Sequence, residues 1–355
     1  MIRTTILVPP SLDLSSALSF SVALASLERA DEFLFDFSKT RHVEPFPMLL
    51  VSSEIQRLAN RFEGAKTVCT NFKHMTYPGH MGFFQAFGLE FGKAPGEASG
   101  SKRYIPMKLF RCDELTQRAA AKGIEVGDEV EGESKHMSAM LCGSDNGPIY
   151  ETLTYSVREM VRNVVEHSKA NQFGICAQYW PTKNKVEVAI LDRGIGLRAS
   201  LKNNPHLDAS DDKRAINYAL MPAVSGKAFK GARTRQRGHW ANSGFGLYMT
   251  SRICRNGGTF FVASGATGML LTKKTEAKRY FSCTFGGTAI RMVVRTDQIS
   301  NLKDMLDTYR NEGYQIQRRY KEIVNIDPSS ASLMLSEDFD LTVWERLLAK
   351  LKGSR

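Results

Sequence analysis

No stretch of this 355-residue chain approaches about eighteen uninterrupted apolar residues, so no membrane-spanning helix is expected. The first ten residues hold one arginine and two prolines around a short apolar run, too little for the core of a signal peptide. Cysteine is sparse: six residues, at 69, 112, 142, 176, 254 and 283, with no CxxC pair. That spacing excludes a disulfide framework and a zinc ribbon, and points to reduced, mostly buried thiols and a cytoplasmic address. There is no GxxxxGK[ST] sequence, so the P-loop class is excluded. There are no internal repeats. Hydrophobic residues at 42% and charged residues at 24% are ordinary globular values, which removes disordered and fibrous classes.

The most informative absence is local. Between Lys213 and Thr275 no acidic residue occurs, yet eleven basic ones do, and the chain's whole excess of lysine and arginine sits there. A nucleic-acid or membrane-surface binder could carry such a stretch. So could a site for one polyanion such as a nucleoside triphosphate. Few aromatics accompany it (Phe229, Trp240 and Phe245), which disfavours stacking on bases and makes nucleic acid the weaker reading.

Runs at 2–8, 33–37 and 66–70 read as strands, alternating with helices at 15–30, 48–61 (after a break at Pro45-Phe46-Pro47) and 82–91. That alternation predicts a small α/β unit over 1–95. Residues 96–147, rich in Gly, Ser, Glu and Lys, read as a connector or insertion with a helix at about 109–122. A second α/β unit is expected over 148–296, and a helical extension over 297–355 with helices at about 298–311 and 340–351.

In the second unit Leu153, Val157, Met160, Val161, Val164 and Val165 form an apolar helical stripe. Beside it Glu159, Asn163 and His167 recur at steps of four, which helical geometry puts along one edge. A carboxylate that can take a proton, one turn from an amide oxygen that can hold Mg²⁺, suits phosphoryl chemistry. Taken alone, the same spacing more often describes a solvated helix face. After a strand at 185–191 comes Asp192-x-Gly194-x-Gly196, where a carboxylate beside a glycine turn can accept the amine of a flat base. A surface turn is the plainer reading. Gly244-x-Gly246 then opens a helix, whose free N–H groups favour phosphate. A simple helix-start glycine would look the same. Further strands are expected at 259–264, 280–285 and 288–295.

It is the order of these four features that carries weight, and in that order they resemble a known family. Residues 150–296 resemble the ATP-binding domain shared by gyrase B, Hsp90, the histidine kinases and MutL, the GHKL superfamily. REMVRNVVEHS (158–168) resembles its first motif, DRGIGL (192–197) its adenine motif and SGFGL (243–247) its phosphate-side glycine motif. The resemblance implies Glu159 as catalytic base, Asn163 as Mg²⁺ ligand, Asp192 as adenine acceptor, and Thr288 of FGGT near the adenine. His167, Gly194, Gly196, Gly244 and Gly246 are carried over as nucleotide-binding positions. Lys227, Lys230 and Arg233, placed only by charge and location, are candidate cations of a lid at about 198–243. The implied ligands are ATP and Mg²⁺.

The ExxxNxxxH pattern most resembles the anti-sigma-factor serine kinases. No histidine has the setting of a histidine-kinase phosphoacceptor, so histidine autophosphorylation is not expected. The order of elements in residues 1–95 resembles the STAS domain. The loop that carries the phosphorylatable serine there reads Val43-Glu44-Pro45-Phe46-Pro47 here, without a hydroxyl, implying a docking module and not a phosphoacceptor.

The expected architecture is therefore α/β throughout. A small STAS-like unit precedes an α/β sandwich with helices on one mixed, largely antiparallel sheet, and a helical tail follows. The expected function is that of an ATP-binding regulator, by ATPase or serine/threonine kinase-like transfer, acting on a STAS-like or sigma-factor-related protein partner. A non-catalytic ATP-gated interaction module is the alternative, and the chain could form a homodimer.

Overall fold

The structure, a computed structural model, describes residues 2–227, 244–272 and 278–324. The first α/β unit runs β1 (Arg3–Leu7), β2 (Ser11–Leu12), α1 (Leu14–Ala25), β3 (Glu32–Asp36), β4 (His42–Val43), α2 (Pro45–Arg61), β5 (Lys66–Thr70) and α3 (Thr76–His80). Strands β1, β3 and β5 form a parallel sheet in that order, and β2 pairs with β4.

Asp13 starts α1 with a reciprocal cap: its carboxylate accepts from the Ser16 N–H while the Ser16 hydroxyl accepts from the Asp13 N–H. The expected break at Pro45-Phe46-Pro47 is instead the first turn of α2, because a helix needs no donors there and proline's fixed φ suits it. The helix expected at 82–91 does not form. Gly82 and Gly88 adopt positive φ and leave only a 3₁₀ turn at Gln85–Phe87.

The stretch expected as a connector is ordered: β6 (Tyr104–Arg111), α4 (Cys112–Lys122) and α5 (Val126–Cys142). Its helix therefore begins at Cys112 and not at 109. In α5 the buried residues are Glu129, Val130, Ser134, Met137, Ser138 and Leu141. Two serines among them disguise a helical stripe as polar linker sequence.

There follow α6 (Pro148–Asn163), β7 (Gln172–Trp180), β8 (Lys185–Asp192), α7 (Gly196–Leu201), α8 (Asp212–Ala219), α9 (Gly246–Arg255), β9 (Thr259–Leu271), β10 (Arg279–Arg295) and α10 (Leu302–Val324). Five strands make one sheet in the order β6-β7-β8-β10-β9, and every pairing in it is antiparallel. The two strands expected at 280–285 and 288–295 are the single β10, whose register against β9 shifts on either side of Phe285. The protein is thus α/β with a five-stranded antiparallel sheet. No described helix is long and apolar enough to cross a membrane. The tail helix expected at 340–351 lies outside the described residues.

Side chains alternate across the large sheet, as the pleat requires. Val186, Val188 and Ile190 of β8 share a core with Leu153, Val157, Met160 and Val161 of α6. Ala189 and Leu191 enter a second core with Phe46, Leu49 and Leu50 of α2 and with Phe33 and Phe35 of β3. One face of the sheet therefore carries α6, and the other joins the first α/β unit.

A buried charge cluster holds that second face. Glu187 of β8, fully buried, accepts from the Phe46 N–H at 3.2 Å and from Arg291 Nη2 at 2.7 Å. Arg291 also reaches Glu44 at 3.0 Å, and Lys185 lies 3.4 Å from both carboxylates. Removing one partner strands the others in a low-dielectric setting. Glu187→Ala is expected to lower unfolding free energy by about 3 kcal/mol, at the smaller end of such losses because Glu44 remains. Urea denaturation measures it; a change within about 0.5 kcal/mol would mean that the cluster does not hold the face.

Candidate functional site

The stripe residues of α6 sit on the sheet, which turns the polar edge of that helix toward the end of β8. The helix ends at Asn163 and continues as a single π-helical turn, Val164–Ser168, closed by Lys169 at positive φ. The straight helix expected through His167 is thus widened at its last turn, a distortion frequent at functional sites. Asn163 and His167 nevertheless both line one open cavity.

Asp192, Gly196, Gly244, Gly246 and Thr288 line the same cavity. Asp192 ends β8 directly opposite Thr288 of β10. Its carboxylate is 2% exposed and accepts from the Gly194 N–H at 2.8 Å and from the Thr288 N–H. Burial is the stronger influence and pushes this carboxyl up to about 6, although both N–H donors and Arg193 act to lower it. Gly194 is not itself in the lining. It backs against the Ser168 carbonyl, which a Cβ would overlap, and the Ser168 carbonyl also accepts from the Ile195 N–H at 2.7 Å. The π turn and the glycine turn therefore touch through backbone.

Gly246 stands at the start of α9, where backbone N–H groups lack helical partners. Glu159 is absent from the cavity lining but lies directly behind Gly246: a Cβ there would collide with Glu159 Oε2. The other oxygen, Oε1, accepts from Arg158 at 3.0 and 3.3 Å. The carboxylate is thus anchored by one oxygen and turned to the helix N-terminus by the other.

His167 is largely buried, and desolvation followed by the nearby Lys227 charge holds its imidazole down to about 4. It is neutral at physiological pH and brings hydrogen bonding, not charge, to the cavity. Lys227, expected as a lid cation, does not line the cavity; its ammonium donates to the Glu166 carbonyl at the π turn. Lys230, Arg233 and most of the expected lid lie outside the described residues. Within the described part, 198–227, α7 and α8 are helical.

Several contributors were not read from the sequence. Ser200, Leu201, Ser225 and Gly226 also line the cavity. Ser264 ties the turns together: its hydroxyl accepts from the Leu197 N–H at 2.9 Å and donates to the Gly287 carbonyl at 2.8 Å. A lone serine inside an apolar strand gave no sign of that role. Among the described residues, no group of three His, Cys, Asp or Glu side chains could hold a metal ion. All six cysteines are free.

No protein-family model and no curated protein matches the chain at a significant level.

Proposed function

We propose that the chain is an ATP-binding regulatory protein of the GHKL type, preceded by a STAS-like docking unit. The observation that carries this reading is the placing of Asp192, Thr288, Asn163 and the α9 N-terminus around one cavity. A buried carboxylate at its back suits the exocyclic amine of adenine. Backbone N–H groups at Gly246 suit phosphate oxygens. The residues fit Mg²⁺ as well, in the sense that a hard cation bound with a triphosphate needs few protein ligands, and Asn163 offers an amide oxygen. When bound, that cation would neutralise phosphate charge.

In this reading Asp192 fixes the base, Ser264 and the π turn hold the 192–197 turn, Ser264 joining it to Gly287 beside Thr288, and Glu159 is the proton acceptor. Arg158 keeps Glu159 Oε1 occupied and leaves Oε2 at the phosphate end, where it would orient a water or a partner hydroxyl. The partner would be a STAS-like or sigma-factor-related protein. A binding-only switch is the second reading, favoured by the absence of Glu159 from the cavity lining.

Asn163→Ala tests the metal assignment. ATP affinity is expected to weaken and to lose its dependence on Mg²⁺, with the thermal melt retained. Unchanged affinity and unchanged Mg²⁺ dependence in calorimetry would remove Asn163 from the site.

A pH series tests the base assignment independently. Only the ionised Asp192 carboxylate offers a full charge to the amine. ADP affinity should therefore be flat above about pH 7 and fall by roughly tenfold per unit below about pH 6. His167, already neutral, does not titrate in that window. Calorimetry between about pH 5 and pH 8 measures it, and a flat profile would contradict the assignment.

A further inference from the structure

The residue after the base acceptor is bound to the other α/β unit. Arg193 places Nη2 2.6 Å from Glu54 Oε1 and Nε 2.9 Å from Ser53 Oγ, both on α2 and about 140 positions away in sequence. Its guanidinium stacks 4.0 Å from the Phe285 ring centroid, and Nη1 lies 3.5 Å from the Gly286 carbonyl. Phe285 and Gly286 lead into Thr288, the residue opposite Asp192. One side chain therefore grips both lips of the base pocket, 192–194 and 285–288, and fastens them to α2. Glu54 is fully buried, and its second oxygen is held by Arg57 at 2.8 Å.

Docking of α2 does not require this contact. The helix already buries Phe46, Leu49 and Leu50 against the sheet, and the Glu187–Arg291 cluster anchors its first turn. A second buried ion pair adds little net stability, because the desolvation of both charges offsets their attraction. It does add geometric definition, since the planar guanidinium accepts few arrangements of its partners.

We propose that Arg193 is a positioning residue through which α2 sets nucleotide affinity and nucleotide occupancy is felt at α2. The inference rests on the ATP reading of the cavity. A partner that shifts α2 would remove the Glu54 counter-charge, release Arg193 and loosen both lips at once. By linkage, a nucleotide that orders the lips must tighten the Arg193–Glu54 contact by the same factor.

The experiment uses the full chain with ADP as ligand. Glu54→Gln keeps the shape but removes the charge, and Ser53→Ala removes the second contact. Both are expected to raise the ADP dissociation constant, Glu54→Gln by at least about fivefold, the lower range of measured couplings. Arg193→Gln should cost a similar factor, and the Arg193→Gln/Glu54→Gln double variant no more than either alone. In wild type, ADP should slow amide deuterium exchange in α2 around Ser52–Leu58, and in Arg193→Gln it should not; a contact of purely structural importance would leave that response unmoved. If Glu54→Gln fails to fold, Ser53→Ala and the wild-type exchange response decide. The proposal is overturned if wild type binds ADP while the folded variants bind it within about twofold and α2 exchange ignores the nucleotide. A wild-type chain that binds no adenine nucleotide overturns the ATP reading itself, and the proposal with it.

Discussion

Glu159→Gln is expected to slow γ-phosphate loss from ATP by about 10²–10⁴-fold, while ADP affinity stays within about twofold of wild type. The asymmetry follows from position. Glu159 stands behind Gly246 and outside the cavity lining, so its loss removes no contact to the base or the ribose. Its amide replacement keeps the volume and can still accept from Arg158, but it cannot take a proton. Single-turnover release from labelled ATP, with ADP titrations alongside, measures both quantities. If wild type shows no turnover, the binding-only switch is the correct reading; if the variant turns over as fast as wild type, Glu159 is not the base. If ADP affinity falls with turnover, Glu159 is a ligand-binding residue and the assignment as base fails.

Asp192→Ala has the second large effect. The adenine amine loses a charged acceptor, worth about 1.5–3 kcal/mol, so ADP affinity should fall by roughly 10- to 150-fold. Stability should move the other way in Asp192→Asn. Burial raises the folded carboxyl to about 6 from an ordinary value of 3.8. The folded state therefore holds the proton more tightly, and this group's contribution to stability declines as pH rises from about 4 through 6. Above that range the buried charge is a standing cost, which an amide able to accept from Gly194 and Thr288 avoids. Thermal melts of the ligand-free protein at neutral pH should place Asp192→Asn at or above wild type. A variant that binds ADP as well as wild type would move the base away from Asp192.

What could be read in the sequence was local. The α6 stripe, the DxGxG turn after a strand and the glycines before α9 lie within single elements, and each has a periodicity or turn chemistry of its own. The α/β character followed from the alternation of such elements. What escaped was non-local or disguised. Strand β6 joins the five-stranded sheet only by pairing with β7, about seventy residues later. Ser134 and Ser138 made the buried face of α5 look like linker. The π turn, which carries His167 and meets Gly194, has no sequence marker distinct from an ordinary helix end. Ser264 and the Arg193–Glu54 pair depend on chain segments brought together only by folding. Lys227 was placed by charge and location, which fix a neighbourhood, not a direction; its ammonium donates to the Glu166 carbonyl of the π turn and does not line the cavity.

The most direct test of the account is calorimetry of the wild-type chain with ADP and with GDP, each with and without Mg²⁺. Adenine presents an amine to the Asp192 carboxylate, whereas guanine presents a carbonyl oxygen, so acceptor would face acceptor. One ADP site per chain is expected, strengthened by Mg²⁺, with GDP binding weaker by at least about tenfold. No heat of binding with ADP at millimolar concentration, or equal affinity for the two nucleotides, would contradict it.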